Sequence, residues 1–192
     1  MTLLTRPDLI DALRDLIAEL KTSGEAVGLR LVGGGAIALR YFERESTRDI
    51  DAFHPRPGTD ELVSRAVHAV ARRRGWDSDW LNFEVNGTAA EPLWGKDVEW
   101  ESIYNKDGIE IQVASAEALL VMKLLSNRPG RDTNDIRQLL ALCEIRSVSA
   151  ADELYEAYYP GESLPDRAWD MVESILRGGK LAKPELLHPF EL

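Results

Sequence analysis

The stretch from Leu29 to Phe53 constrains the fold more than any other part of the chain. It reads LRLVGGGAIALRYFERESTRDIDAF, an apolar run that ends in three glycines and is followed by residues that favour a helix. After a charged turn, the segment Asp49-Ile50-Asp51 alternates polar with apolar side chains, as a half-buried strand does. The pattern predicts a strand, a glycine turn, a short helix and a second strand, with both aspartates on one face.

The glycines and the paired aspartates together point to phosphate chemistry. Gly33, Gly34 and Gly35 would open a helix, where backbone N–H groups and the positive end of the helix dipole attract phosphate. Two carboxylates on one face of a strand, Asp49 and Asp51, offer the hard oxygen ligands that Mg²⁺ prefers. A phosphate cradle followed by a metal site is what phosphoryl or nucleotidyl transfer requires.

Composition excludes several classes of function. The chain has 192 residues, 44% of them hydrophobic, and a net charge of −10, which argues against a general nucleic-acid coat protein. A lone cysteine, Cys143, stands in an apolar run and indicates core packing in a reducing compartment. No run reaches membrane-spanning length and the start of the chain lacks a signal-peptide pattern. We therefore expect a cytoplasmic protein without a membrane partner.

The order of the predicted elements indicates an α+β fold, a small mixed sheet flanked by helices and followed by a helical C-terminal region. We place the boundary between residues 1–114, the core, and residues 115–192, the helical region. A hairpin with an Asp-Gly turn is expected near Asp107, and loops with one or two short strands between Trp76 and Trp100. Caps are predicted at Thr5, Thr59, Ser115, Asp132 and Ser149, and Trp169 is expected to face inward.

Two further charged features leave alternatives open. Glu110, in the second strand of the hairpin, is either a third carboxylate beside Asp49 and Asp51 or a solvent-facing strand residue. The arginine run 72–74 ends a predicted helix, where cations are common, and a contact with a phosphate backbone is the less favoured alternative.

At this point the residues resemble a known family. The glycine run 33–35 and the pair Asp49 and Asp51 resemble the pattern of the nucleotidyltransferase fold, the polymerase-beta-like superfamily. The later segment 113–136, with Lys123 and Asp135, looks like the abortive-infection (AbiEii) and MenA/MenT type of nucleotidyltransferase toxins. The similarity covers most of residues 29–135.

The resemblance implies a role for each matching residue. It implies that Asp49 and Asp51 hold one or two Mg²⁺ ions, with Glu110 as the candidate third ligand, and that Gly33, Gly34 and Gly35 bind the triphosphate of the nucleotide. Lys123 would pair with the phosphates, Asp135 would orient Lys123 or assist the attacking hydroxyl, and Arg48 and Arg131 would add phosphate contacts. The family often has Ser or Thr where this chain has Gly35, so that no hydroxyl reaches the phosphate there.

The leading hypothesis is transfer of a nucleoside monophosphate from a nucleoside triphosphate (NTP) to an acceptor. By resemblance, the acceptor would be the 3′ end of tRNA, and the enzyme would be a toxin held in check by an antitoxin protein. One alternative keeps the chemistry but uses a protein or a small hydroxylated molecule, such as an antibiotic, as the acceptor. Another is a catalytically degenerate nucleotide-binding module, which Gly35 and the weakly indicated third carboxylate suggest.

Overall fold

A computed structural model describes residues 3–54, 57–85 and 95–192 of the chain. The described residues form the following elements, in chain order: α1 (Arg6–Ser23), β1 (Val27–Val32), α2 (Gly33–Arg40), β2 (Ile50–Phe53), α3 (Asp60–Arg74), β3 (Leu81–Asn82), β4 (Trp100–Lys106), β5 (Ile109–Ala114), α4 (Ala116–Ser126), α5 (Thr133–Leu142), α6 (Val148–Tyr158) and α7 (Asp166–Arg177). Strands fill the first part and helices the last, so the predicted α+β class is confirmed.

The described residues group into two compact units. The first contains residues 3–54, 57–85, 100–114 and 186–192, and therefore helices α1–α3 and all five strands. The second contains residues 95–99 and 115–185, and therefore helices α4–α7.

The five strands of the first unit form one mixed sheet. The strand order is β3-β2-β1-β5-β4, with β1 parallel to β5 and antiparallel to β2. Strands β4 and β5 are the predicted hairpin, and its turn passes through Asp107 and Gly108, both at positive φ. The sheet thus places β1, which leads into the glycines, beside the strand that carries Asp51.

The two faces of this sheet differ in chemistry. One face is aliphatic and fully buried; its members are Leu29, Leu31, Ala52, Ile111 and Val113. On the opposite face the register pairs Arg30 with both Gln112 and Phe53, and it pairs Val32 with Asp51. Because side chains alternate along a strand, this second face also carries Glu110, so it is the polar face of the sheet.

Local capping chemistry fixes several helix starts as predicted. The Thr5 side chain accepts from Asp8 N while Asp8 accepts from Thr5 N, which completes a capping box at α1. Thr59 caps α3 and Ser115 caps α4 through their hydroxyl oxygens.

Two local predictions were wrong, and a third, the cap at Asp132, is confirmed in position only. Helix α6 is capped by Ser147 rather than Ser149, because Ser147 is the residue whose oxygen accepts from Ala150 N. Asp132 stands at the N-cap position of α5 but makes no capping bond, since its carboxylate is used elsewhere. Trp169 is 41% exposed, because the buried face of α7 consists of Ala168, Val172 and Ile175.

The arginine run at the end of α3 forms ion pairs with α1. Arg74 lies 2.6 Å from Asp15, and Arg73 pairs with Glu19, whereas Arg72 is exposed. Two of the three cations are therefore engaged by acidic side chains of a neighbouring helix, and they join α1 to α3.

The C-terminal residues return to the first unit. Leu187 N donates to Tyr41 O, Arg6 donates to His188 O, and the Arg6 guanidinium lies 5.2 Å from the Phe190 ring centroid.

The predicted loops between Trp76 and Trp100 include β3, and residues 86–94 of that stretch lie outside the described residues. In the described part of the chain no helix combines the length and the apolar character needed to cross a bilayer.

Candidate functional site

The start of helix α2 is the centre of the candidate site in the first unit. The helix begins at Gly33, directly after the last residue of β1, and its N-cap residue Val32 makes no side-chain capping bond. The first N–H groups of a helix have no partner inside the helix, so they are available to an anion when no side chain caps them. The sequence thus places three glycines, residues 33–35, where strand β1 passes into helix α2, and we call this segment the glycine junction.

Asp51 lies directly against this junction. The register pairs Val32 with Asp51, and a Cβ on Gly33 would lie 3.2 Å from Asp51 Cγ and would overlap with Oδ2. Gly33 also has φ +70°, a left-handed conformation that strains any L side chain. Glycine at position 33 thus allows a carboxylate to approach the backbone where the helix begins.

Gly34 and Gly35 are close to other groups of the same region. A Cβ on Gly35 would lie 2.9 Å from Ile50 Cγ1 and 3.1 Å from Asp49 O, so α2 packs directly on the start of β2. A serine or threonine at position 35 would overlap with Ile50, which explains physically why this chain lacks the hydroxyl there. Gly34 instead faces Arg44 and Thr47.

Asp49 comes one residue before the start of β2 and is half-buried. The sequence predicted that both aspartates belong to the strand, but the strand begins at Ile50, and Asp49 O accepts a hydrogen bond from Thr47 Oγ1 at 3.1 Å. The two carboxylates are carried by residues on either side of Ile50, within one short segment beside the glycines.

Arg44 is a functional candidate that the sequence did not reveal. Its guanidinium Cζ and Nη1 lie 3.1 Å from the place where a Cβ of Gly34 would stand, and Nη1 donates to Ser46 O. A cation therefore lies at the start of α2, where phosphate would bind. Arg48, which the sequence selected, is exposed. Arg44 stands in a loop without periodic pattern, so only the three-dimensional fold distinguishes it from its neighbours.

Glu110 lies far from Asp51 along the same face. It pairs in register with Gly28, whereas Asp51 pairs with Val32, four residues further along β1. At the usual rise per strand residue, Glu110 and Asp51 are therefore about 13 Å apart along the strand direction. Gln112, the next residue of β5 on that face, carries an amide rather than a carboxylate.

The donor set near Asp51 fits a metal ion that a nucleotide helps to hold. Among residues 3–54, 57–85 and 95–192, no group of three or more His, Cys, Asp or Glu side chains is arranged to bind a metal. Mg²⁺ is commonly bound by one or two carboxylates together with water and substrate phosphates. Asp49 and Asp51 match that mode, because the adjacent glycine junction is suited to the phosphates.

A second charged cluster, in the second unit, contains Lys123 and Asp135. The Lys123 side chain is 6% exposed, and its Nζ lies 2.6 Å from Asp132 Oδ1 and 3.0 Å from Asp135 Oδ2. We call this group, together with Arg128, the lysine cluster. The structure thus brings together Lys123 and Asp135, two of the residues that the sequence selected.

Asp132 is the most heavily bonded member of the lysine cluster. Besides Lys123, its carboxylate accepts from Ser126 Oγ and from the backbone N and the guanidinium of Arg128. Burial alone would raise the pKa of Asp132, but the hydrogen bonds from Arg128 and the charge of Lys123 outweigh it and hold that pKa well below its usual range. Arg131, one residue earlier, is exposed.

Lys123 is therefore a buried, doubly paired ammonium, whereas the sequence alone left open a surface lysine. Gly33–Gly35, Arg48, Asp49 and Asp51 belong to the first unit, and Lys123, Arg131 and Asp135 to the second. That the two groups complete one site stays a prediction.

Cys143 is the C-cap residue of α5 and is half-buried, so its predicted packing in the core is only partial. Burial raises the pKa of its thiol to about 12, so the thiolate that acts as a nucleophile is not formed near neutral pH.

Comparison with known proteins identifies the family of this chain. A family model described as a nucleotidyltransferase of unknown function (DUF6036) matches residues 9–162, which is most of the chain. Searches of curated proteins and of solved structures found no match. The matched residues include β1, the glycines, β2 and the lysine cluster, and the mixed sheet flanked by helices is the nucleotidyltransferase fold. The chain therefore belongs to the nucleotidyltransferases of unknown function (DUF6036).

Proposed function

We propose that this protein transfers a nucleoside monophosphate from a magnesium-bound NTP to a hydroxyl acceptor. The observation that carries the proposal is the close approach of Asp51 to Gly33 at the start of α2, where the N-cap residue Val32 makes no side-chain capping bond. A carboxylate would repel a phosphate at that position unless a cation lay between them. A metal ion between the Asp51 carboxylate and the phosphate would explain why an anionic side chain lies beside a helix start suited to anions.

In this proposal Asp49 and Asp51 hold Mg²⁺. The ion would neutralise the phosphate oxygens and so favour attack at the α-phosphorus. The N–H groups of Gly33–Gly35 bind the anionic phosphates, and the Arg44 guanidinium adds a fixed positive charge beside Gly34. The same residues orient the triphosphate, so that the acceptor oxygen attacks in line with the leaving pyrophosphate.

The reaction forms one bond and breaks one bond. The acceptor hydroxyl oxygen bonds to the α-phosphorus, while the bond from that phosphorus to the bridging oxygen breaks and pyrophosphate leaves. The hydroxyl proton passes to water, because within the described residues no third acidic or histidine side chain joins Asp49 and Asp51. Since proton transfer to a positioned base contributes about 10²–10⁴-fold, we expect slow turnover.

The lysine cluster has a proposed role in the same chemistry, based on the family resemblance. Lys123 would neutralise phosphate charge, and Asp135 would act as a positioning residue for its ammonium group. Asp132 and Asp135 pair with Lys123, and since an ammonium group has three N–H donors, one donor remains for a phosphate oxygen. Arg131 and Arg48, both exposed, would add contacts with the nucleotide.

The proposed acceptor is the 3′ end of tRNA, and the proposed biological role is that of a toxin with an antitoxin partner. Both rest on the resemblance to toxin nucleotidyltransferases. The net charge of −10 and the pairing of Arg73 and Arg74 with acids of α1 limit RNA binding to a local basic patch.

A second candidate function is nucleotide binding without transfer. It is favoured by the distance of Glu110 from Asp51 and by the lack of room for a hydroxyl at Gly35. In that case the protein binds a magnesium nucleotide but forms no product.

The test is incubation of the protein with each α-labelled NTP, Mg²⁺ and total tRNA. Labelled tRNA that disappears in Asp49→Ala but persists in Asp79→Asn, an exposed control, supports the proposed reaction. Label on protein or on small hydroxylated molecules alone supports a different acceptor. Magnesium-dependent nucleotide binding without any transfer supports the second candidate function.

A further inference from the structure

A pocket lies on the polar face of the sheet, away from Asp51. It has a volume of ≈ 260 Å³ and is formed within the first unit at the beginning of β1. Its polar side chains are Arg30, Asn105, Glu110 and Gln112, and Gly28 lies among them. This volume suits a small ligand, because sites for drug-sized molecules usually exceed about 300 Å³.

The pocket contains a cation, Arg30, and an anion, Glu110, that are joined through the side-chain amide of Gln112. Gln112 Oε1 accepts from Arg30 Nε at 3.0 Å, and Gln112 Nε2 donates to Glu110 Oε1 at 3.3 Å. Within the described chain, Arg30 and Glu110 make no direct ion pair, although their strands are neighbours. The Gln112 amide therefore bridges two opposite charges that would otherwise attract each other.

Each of these charged groups keeps hydrogen-bonding capacity for a ligand. The Asn105 amide donates to the same Oε1 of Glu110 at 3.4 Å, which leaves Oε2 without a hydrogen bond in the described part of the structure. Arg30 uses only Nε, so both Nη atoms remain as a pair of donors there. The guanidinium lies 4.8 Å from the Trp100 ring centroid, which restricts its orientation.

The ligand that matches this pocket presents two acceptors to an arginine fork and donors to a carboxylate. Guanine does so in one plane, because O6 and N7 accept from the two Nη groups while N1–H and the 2-amino group donate to a carboxylate. The separation of Arg30 and Glu110, diagonal neighbours on adjacent strands, is about 7–8 Å between Cα atoms, which leaves room for the edge of a base.

We propose that Arg30 and Glu110 form a guanine-binding site distinct from the glycine junction. Arg30 donates to O6 and N7, and Oε2 of Glu110 accepts from N1–H and the 2-amino group, while Asn105 and Gln112 hold Oε1 in place. Measured along the strand direction, Glu110 is about 13 Å from Asp51. The site therefore binds a base without using the phosphate-binding residues.

The test measures binding of guanosine to the full chain by isothermal titration without Mg²⁺. Guanosine is used because it carries no phosphate and therefore does not compete for the glycine junction. Inosine, which lacks the 2-amino group, and 7-deazaguanosine, which lacks N7, each remove one proposed contact. We expect each analogue to bind the native protein about tenfold more weakly than guanosine, and adenosine to bind more weakly still.

The variants Glu110→Gln and Arg30→Met assign each contact to its residue. In Glu110→Gln the difference between guanosine and inosine is expected to disappear, whereas the difference between guanosine and 7-deazaguanosine remains. In Arg30→Met the reverse is expected. The control Glu101→Gln changes an exposed glutamate on the neighbouring strand and is expected to leave all three affinities unchanged.

Two outcomes overturn the inference. One is the absence of saturable guanosine binding up to about 1 mM. The other is guanosine binding that neither variant alters, which assigns the base to some other part of the molecule. Because the titration contains no metal ion and no triphosphate, neither outcome depends on whether the protein transfers nucleotides.

Discussion

Asp51 and Gly33 lie so close together that no side chain fits between the carboxylate and the backbone at the start of α2. A Cβ on Gly33 would stand 3.2 Å from Asp51 Cγ, and nearer still to Oδ2. The strand pairing of Val32 with Asp51 enforces this approach. The relationship places the glycine turn and the acidic strand in direct contact, so substitutions at both residues are informative.

Replacing Gly33 with alanine is expected to abolish nucleotide transfer. Alanine at φ +70° costs about 1–2 kcal/mol, and its methyl group overlaps with the Asp51 carboxylate. The control is Gly24→Ala, because Gly24 has φ +69° and nothing within 4 Å of its added Cβ. Thermal unfolding and the transfer rate are measured for both variants. Comparable loss of activity in both would show that backbone strain, and not the contact with Asp51, is responsible.

Adding a hydroxyl at position 35 is expected to harm this protein. In Gly35→Ser the new Cβ would lie 2.9 Å from Ile50 Cγ1 and 3.1 Å from both Asp49 O and Ile50 Cα. Overpacking of this kind costs about 1–3 kcal/mol, because a strand must shift. Urea unfolding measures the free-energy change. A more stable and more active Gly35→Ser protein would contradict the packing of α2 on β2.

Arg44 is expected to contribute more to nucleotide binding than Arg48. Loss of the guanidinium in Arg44→Met removes a cation beside Gly34, and we expect KM for the NTP to rise about tenfold to a hundredfold. Arg48→Met serves as the matched control, since Arg48 is exposed on the same loop. Steady-state kinetics distinguish the two. If Arg48→Met raises KM as much as Arg44→Met, the site uses general positive charge and not a positioned group.

The lysine cluster is expected to control stability as well as activity. In Lys123→Met the carboxylates of Asp132 and Asp135 lose the ammonium group they share, and breaking a buried pair costs about 3–5 kcal/mol. Urea unfolding measures this loss, and Lys106→Met, an exposed control, should leave stability unchanged. A Lys123→Met protein as stable as the native one would mean that the cluster is not a structural network.

Acid is expected to weaken the same cluster. Burial opposes ionisation of Asp132, but Arg128 and Lys123 lower its pKa below the unfolded value, so the ionised carboxylate stabilises the folded state. This contribution is complete above the unfolded pKa of about 4 and is lost as the pH falls from there towards the folded pKa. The difference in unfolding free energy between the native protein and Asp132→Asn should shrink below about pH 4. A difference independent of pH would contradict this.

The parts of the fold that the sequence predicted depend on local patterns. Capping at Thr5, the Asp-Gly turn and the glycines before Ala36 are determined by residues a few positions apart, and the structure has them as expected. The strand register is not local. Parallel pairing of β5 with β1 places Glu110 opposite Gly28, and nothing near Glu110 in the sequence specifies that partner.

Arg44 and Asp132 were missed for related reasons. Arg44 belongs to a loop, where no periodicity marks the direction of a side chain, and its closeness to Gly34 depends on the path of that loop. Asp132 looked like a helix cap, but a buried lysine nine residues earlier and Arg128 offer stronger partners than the backbone of α5. Competition between charged partners separated by a loop is visible only in three dimensions.

The most direct test of the central claim is the magnesium dependence of nucleotide binding in Asp51→Asn. Each of the four NTPs is titrated into native and variant protein, with and without Mg²⁺. If Asp51 holds the metal beside the glycine junction, Mg²⁺ strengthens binding to the native protein much more than binding to the variant, and without Mg²⁺ the variant binds at least as tightly because a repelling charge is gone. Equal strengthening by Mg²⁺ in both proteins would contradict the claim.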